Sequence, residues 1–407
     1  MERYAESERL LERARRVVPG GIYGHTAPHL LVPGSYPYFF TRARGSRLWD
    51  VDGNEYVDLL CSYGPIVLGH AHPKVEEAAA RCAADGRLFN GPGRPWVELA
   101  ERLVDLVPWA EWAVFAKNGS ELCTWALQVA RMATGRQAAL AATGTYHGTH
   151  PWCTPARDGL TTGDREHVGW FRYNDLESLD DALATHDGDV AAIIVTPFRH
   201  EAGADQELPA EGFLAGIRER CDRLGAVFVL DDVRAGFRLH PGGSGEAFGV
   251  RPDFACYSKA IANGHPISAA VGCEALRDAA KDVFFTGTYW TSPVEMAAAL
   301  ACLDELESTD AVSIMRERGE QLRAGMLAQA DTHHVRVRYT GPPAIPFMTF
   351  ADDDAFARSK VFAAACVADG VYLHPYHNWF MSTALTQDDV ARVLDTTDHA
   401  FARVARQ

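Results

Sequence analysis

Asp253-Phe-Ala-Cys-Tyr-Ser258-Lys259-Ala-Ile-Ala-Asn-Gly264 is a short apolar run that ends in a lysine and then in a small-residue turn. Upstream lies Ala226-Val-Phe-Val-Leu230-Asp231-Asp232-Val233, an apolar run that ends in two carboxylates. Short apolar runs bounded by turn signals are the pattern of strands buried on both faces. A charged group at the mouth of such a strand is costly unless it is used. Burial also lowers an ammonium pKa, which makes the amine nucleophilic.

The same pattern extends in both directions from these two runs. Strands are expected near 112–116, 138–142, 190–195, 226–230, 254–257 and 268–272, with helices near 96–107, 120–133 and 293–307. Alternation of this kind implies right-handed crossovers and a largely parallel sheet covered on both faces. The last hundred or so residues read as a separate α+β unit, with strands near 334–339 and 346–350 and helices near 354–369 and 387–405. At the other end, a helix over 1–18 stops at Pro19-Gly20-Gly21, and Trp49-Asp50-Val51-Asp52-Gly53-Asn54-Glu55-Tyr56 reads as a hairpin. The fold class is therefore α/β. The expected division is 1–60 (helix and hairpin, part of the small domain), 61–308 (the large domain) and 309–407 (the C-terminal small domain).

Composition narrows the function. The 407 residues are 47% hydrophobic, ample for a large core. A net charge of −15 makes nucleic acid a poor partner. No apolar run approaches a membrane span, and the charged N-terminus lacks a signal-peptide core, so a cytoplasmic protein is expected. The nine cysteines are scattered without a Cys-x-x-Cys pair, which implies a reducing compartment, no disulfide framework and no metal site.

There are five lysines: Lys74, Lys117, Lys259, Lys281 and Lys360. Only Lys259 combines a strand end with a Gly-containing turn behind it. A lysine and a strand-end aspartate together are what pyridoxal phosphate requires. The lysine forms the Schiff base, and the acid keeps the pyridine nitrogen protonated so that the ring can take up electrons. Asp231 is assigned to the ring and Asp232 to a structural role; an N-cap, or an ion pair with Arg234 or Arg238, is the alternative for the aspartate. Phe115-Ala116-Lys117-Asn118-Gly119-Ser120-Glu121 feeds a helix N-terminus. That is either a phosphate site or a simple cap by Ser120. In Gly144-Thr145-Tyr146-His147-Gly148 the aromatic side chain either stacks on a flat cofactor or packs on the core.

In order and spacing, these segments resemble the class III, fold-type I pyridoxal phosphate enzymes, in particular the glutamate-1-semialdehyde aminomutase-like branch. The resemblance extends from Pro19-Gly20-Gly21 through the Trp49–Tyr56 hairpin, Leu68-Gly69-His70-Ala71-His72-Pro73 and Ala130-Arg-Met-Ala-Thr-Gly-Arg136 to Phe285-Thr286-Gly287-Thr288-Tyr289-Trp290-Thr291-Ser292-Pro293. It implies a large domain on a mainly parallel, seven-stranded sheet and a smaller α+β domain from the two chain ends. Lys259 would carry the cofactor and shuttle protons, and Asp231 would bind the pyridine nitrogen. Val233 and Tyr146 would sandwich the ring, and His147 would join the cofactor site. Gly119 and Ser120 would hold the phosphate, with Asn118 beside them. Thr288 would reach the phosphate of a neighbouring subunit in a homodimer with shared active sites.

The departures concern the substrate. The family's Glu-Pro pair is replaced by Val195-Thr196-Pro197, and the aminomutase's carboxylate-reading arginine is absent from Ile22-Tyr23-Gly24-His25-Thr26-Ala27. Both changes argue against the semialdehyde and for a bulkier or less acidic substrate. Tyr23, His25, Trp152, Tyr289, Trp290 and His377 are the candidate substrate residues. Arg94, Arg172 and Arg199 could bind a carboxylate. The expected activity is ping-pong amino transfer between an amine or amino acid and a keto or aldehyde acceptor. The alternative is an aminomutase or epimerase that uses the same lysine and aspartate.

Overall fold

The computed structural model describes residues 3–353 and 355–406, so the first residues of the helices expected over 1–18 and 354–369 lie outside the described residues. The chain divides into two units. One comprises Met1–His72, Ala202–Asp205 and Ser313–Gln407; the other comprises Pro73–Glu201 and Gln206–Val312.

The larger unit is organised on a seven-stranded sheet. Its strands run in the order Trp112–Ala116, Ser268–Gly272, Phe254–Tyr257, Val227–Asp231, Val190–Val195, Ala138–Thr143, Val168–Arg172. Ser268–Gly272 is antiparallel to both neighbours, and the remaining pairs are parallel. The central strands are wholly buried, which is why Val-Ala-Ala-Ile-Ile-Val and Val-Phe-Val-Leu-Asp show no alternation. The helix Gly119–Thr134 lies across one face. Ala126 and Ala130 on the helix and Ala141, Ala191, Ala192 and Ala270 on the strands keep that contact close, with Trp112, Trp125 and Phe254 filling the remainder.

The edge strand Val168–Arg172 is not among the strands expected from the sequence. It pairs on one side only, and the glycine at its second position, Gly169, is forced by packing. A Cβ on Gly169 would lie 2.4 Å from Leu140 Cδ2 and 2.5 Å from His186 Nε2. The contact that needs a glycine also weakens the strand signal.

The smaller unit has a four-stranded sheet in which Phe40–Arg44, Arg47–Asp50 and Glu55–Asp58 are antiparallel and Val371–Tyr372 adds in parallel. Asp50 holds the hairpin turn. It accepts the Asn54 N–H at 2.8 Å and the Tyr56 hydroxyl at 2.7 Å, while Gly53 takes φ of 87°. Val337–Thr340 pairs with Phe347–Phe350, and the helices Ala357–Ala368 and Gln387–Val404 pack together. Among the described residues, no helix is long and apolar enough to cross a membrane.

Candidate active site

The functional side chains of the large unit collect at the carboxyl edge of its sheet, where ligands of open α/β sheets bind. Val227–Asp231 and Phe254–Tyr257 are parallel neighbours, so Asp231 and the turn bearing Lys259 emerge side by side. Lys259 opens a short 3₁₀ turn at φ 49°, a left-handed conformation that a side chain adopts only under constraint. Lost hydration pushes its amine down to about 7; Arg234 and Arg238 add repulsion and Asp231 opposes them. Below that pH the amine holds its proton and cannot attack; above it the lone pair is free. The rate at which the cofactor-free protein takes up pyridoxal phosphate, followed by absorbance, is therefore expected to rise through about pH 7 and level off well below 10. A rate that climbs to pH 10 would place the amine in a solvated setting.

Asp231 is buried and is held from two sides. Its Oδ2 meets His147 Nδ1 at 2.7 Å, and its Oδ1 accepts the Val233 N–H at 3.2 Å. His147 Nε2 lies 3.0 Å from Thr145 Oγ1, whose own proton goes to the Ala142 carbonyl at 2.6 Å. Both imidazole nitrogens thus face acceptors. The Asp231 carboxylate is pinned by His147, which was not foreseen as its partner; the expectation for Asp231 was the ring nitrogen, with a cap or an arginine pair as the alternative. Asp232 points elsewhere. It accepts the Ser244 N–H at 2.7 Å and the Ser244 hydroxyl at 2.6 Å, and burial raises its pKa to about 7.

The phosphate-type turn packs directly against these groups. A Cβ on Gly119 would lie 2.6 Å from Val233 Cγ2, and one on Gly148, at φ 118°, would lie 2.0 Å from Ser120 Oγ. The helix turn, the aromatic loop and the aspartate strand therefore meet at two glycines. The cap of the Gly119–Thr134 helix is Asn118, not Ser120: Glu121 accepts the Lys117 and Asn118 N–H groups, each at 2.9 Å. Ser120 lies inside the first turn and accepts the Thr149 N–H at 3.2 Å. The first N–H groups of this helix, with its positive dipole end, make an anion site. A half-buried lysine, a pinned carboxylate and a helix N-terminus fit pyridoxal phosphate, whose ring Val233 and Tyr146 would flank.

Other candidates fall elsewhere. Trp152 is buried and stacked on His147 at 5.8 Å, and its indole N–H goes to Thr124 Oγ1 at 2.8 Å. That placement supports His147 rather than presenting a surface to a substrate. Trp290 packs on Phe285 at 4.1 Å, while Thr288 and Tyr289 lie in an exposed turn. Arg172 pairs with Asp175 at 2.6 Å and Arg199 with Glu207 at 3.0 Å, so neither is a spare carboxylate binder. Arg94 is exposed.

Within the smaller unit, Tyr23 is exposed, whereas His25, Tyr63, His374 and His377 form a ring cluster with centroids 5.0 to 6.2 Å apart. Cys61, Ser62 and Tyr63 all have positive φ. Asp58 Oδ1 holds that turn by accepting the Leu60 and Cys61 N–H groups at 2.8 and 3.0 Å. Burial pushes His374 down to about 4, which keeps it neutral.

The class-III aminotransferase family model matches residues 32–400, nearly the whole chain. The chain belongs to this family. The enzyme is 47% identical over 397 residues to the aminopentol aminotransferase of Sphingopyxis macrogoltabida, covering 98% of this chain and 94% of that protein. It is 32% identical to the glutamate-1-semialdehyde 2,1-aminomutase of Desulforamulus reducens, with 99% of each covered. Among solved structures, it matches the pyridoxal phosphate internal aldimine form of the FumI protein of Sphingopyxis sp. MTA144 with a TM-score of 0.97 and 46% identity, covering 99% of this chain and 97% of that one. The aminotransferase is thus a fold-type I, pyridoxal phosphate-dependent transferase. Ser244, which holds Asp232, was not singled out from the sequence.

Proposed function

We propose that this aminotransferase moves the amino group of an aliphatic primary amine bearing hydroxyl groups, of the aminopentol kind, to an oxo acid. The observation that carries the chemistry is the half-buried Lys259, its amine pushed down to about 7, beside an Asp231 fixed by His147. The substrate class is supported by the full-length relative named for aminopentol and by the absence of an arginine from Ile22–Ala27. Bound pyridoxal phosphate supplies the electron sink for the reaction. The chain's own part is to hold that group and to move protons. Gly119 and Ser120 would offer helix N-terminal N–H groups to its phosphate, and Val233 and Tyr146 would flank its ring. The Asp231 carboxylate would meet the ring nitrogen, and His147 keeps that carboxylate from turning away. The Lys259 amine, with its pKa near 7, would take the proton from the amine-bearing carbon and deliver it across the nitrogen to the cofactor's aldehyde-derived carbon. Tyr23, His25 and His377 are the candidates for reading the amine. Amine panels are the direct test: hydroxylated alkylamines should outpace glutamate as donors by at least about tenfold in kcat/KM. Preference for glutamate would contradict this substrate class.

We also propose a cytoplasmic homodimer with shared sites. Thr288 lies in an exposed turn, and Leu88 and Tyr289, both exposed apolar side chains, line one surface hollow of the large unit. A two-fold contact gives each such patch its copy on the partner. Mixing Lys259→Ala chains with chains crippled at Thr288 should place both lesions in one site and leave the other intact. Activity should return toward about a quarter of wild type at full exchange. A dead mixture with demonstrated exchange would contradict sharing. The cytoplasmic assignment is supported by the nine cysteines, none of which forms a disulfide among the described residues.

A further inference from the structure

A chain of hydrogen bonds runs from Asp231 back to the end of the Ala138–Thr143 strand, and His147 is its middle member. His147 is 2% exposed. Its Nδ1 meets Asp231 Oδ2 at 2.7 Å, and its Nε2 meets Thr145 Oγ1 at 3.0 Å. The Thr145 hydroxyl also lies 2.6 Å from the Ala142 carbonyl, an oxygen that can only accept. A hydroxyl has a single proton to give. The shorter contact, to the carbonyl, takes it, and the hydroxyl oxygen turns a lone pair to the imidazole.

An imidazole set between two acceptors needs a proton on each nitrogen. With only one, a ring lone pair would face an oxygen lone pair at 2.7 or 3.0 Å. The surroundings suit the second proton. Asp231 supplies the opposite charge that a buried cation requires. Trp152 stacks on the ring at 5.8 Å and an interplanar angle of 17°, so its π face is offered to the charge. The indole is fixed in turn by Thr124 Oγ1 at 2.8 Å, which also meets His150 Nδ1 at 2.7 Å. His200 feels His147 as well; burial first, then Arg234 and Lys259, keep His200 uncharged.

We infer that Thr145 is a positioning residue whose hydroxyl keeps His147 doubly protonated, so that Asp231 meets the cofactor's ring nitrogen as half of an imidazolium–carboxylate pair. The inference rests on the role proposed above for Asp231 and deepens it. A carboxylate beside a fixed cation is a weaker base. A proton shared between Asp231 and the ring nitrogen therefore stays on the nitrogen, where the electron sink needs it. With both ring nitrogens bound, the imidazole also resists a flip that would turn a carbon to Asp231. Valine at position 145 would keep the shape of threonine and lose the acceptor; serine would keep the acceptor.

The test uses the holoenzyme, labelled with nitrogen-15 either in its histidines or in the cofactor ring, and reads the nitrogen resonances. A free imidazole gives up its second proton near about pH 6.5, so the histidine spectra are taken at about pH 8. Wild-type His147, assigned by the signals that His147→Gln loses, should there show a proton on both nitrogens. Thr145→Val should leave a proton on Nδ1 alone, and Thr145→Ser should keep both. The cofactor's ring nitrogen should resonate as protonated in wild type and Thr145→Ser. In Thr145→Val it should move toward the unprotonated position by on the order of a tenth of the full span. kcat should fall roughly threefold to tenfold in Thr145→Val and less than about twofold in Thr145→Ser. A single ring proton on wild-type His147 would overturn the inference, and that result needs no variant to fold. So would a Thr145→Val spectrum with both protons in place, which would assign any loss of rate to loop packing. A ring nitrogen as fully protonated in Asp231→Ala as in wild type would instead remove the proposed role of Asp231, and this inference with it.

Discussion

Lys259→Ala is expected to lower kcat by about four orders of magnitude or more while the protein stays folded. The other lysines cannot substitute. Lys74 pairs with Glu305, Lys117 lies 3.1 Å from Glu295, Lys281 lies 3.6 Å from Asp278, and Lys360 is on the surface. None of these sits beside Asp231. Lys259 is also the one whose amine burial pushes to about 7, which allows it both to attack a carbonyl and to carry a proton. Borohydride reduction of the holoenzyme followed by peptide mapping should place the pyridoxyl mass on the peptide containing Lys259. Finding it on Lys117 would overturn the assignment. The alanine variant should melt within a few degrees of wild type, because it removes a desolvated amine and leaves the backbone at φ 49° as it was.

The second large effect separates the two adjacent aspartates. Asp231→Ala should cost roughly 10³-fold in kcat, because it removes the fixed charge that opposes the ring nitrogen and leaves His147 without its partner. Asp232→Ala should leave kcat within about tenfold and instead cost about 2 kcal/mol of stability. It strands the buried Ser244 hydroxyl and N–H, whose acceptors at 2.6 and 2.7 Å are both Asp232 oxygens. Steady-state kinetics and thermal melts on the pair read the two outcomes. The reverse ranking would mean that the strand ends one residue later than Val227–Asp231.

Much of this fold was legible because its central strands are buried on both faces and end in charge. The runs before Asp231 and Lys259 could hardly be anything else in a chain that alternates strand and helix. The hairpin around Gly53 was legible for a similar reason: Asp50, Gly53 and Asn54 are the residues its turn needs. Val168–Arg172 was not legible, since its packing requires a glycine at its second position against Leu140 and His186. In the site, Lys259, Asp231 and Gly119 announce themselves by type and position. The roles of Asn118 and Ser120 did not, because either could cap a helix, and the outcome depends on which N–H groups Glu121 takes. Trp152 looked available to a substrate because an aromatic after a loop gives no sign of which way it turns. Its stacking on His147 and its bond to Thr124 are set by residues distant in sequence.

The central claim is amino transfer rather than rearrangement. It is tested most directly by adding a hydroxylated primary amine to the holoenzyme with no oxo acid present. Carbonyl product should form at one equivalent per Lys259 and then stop, with the cofactor absorbance settled in its amine form. Addition of pyruvate should restart product formation and yield one alanine for each amine consumed. Continued turnover of the amine without any acceptor, with the amino group moved along the same molecule, would contradict the account.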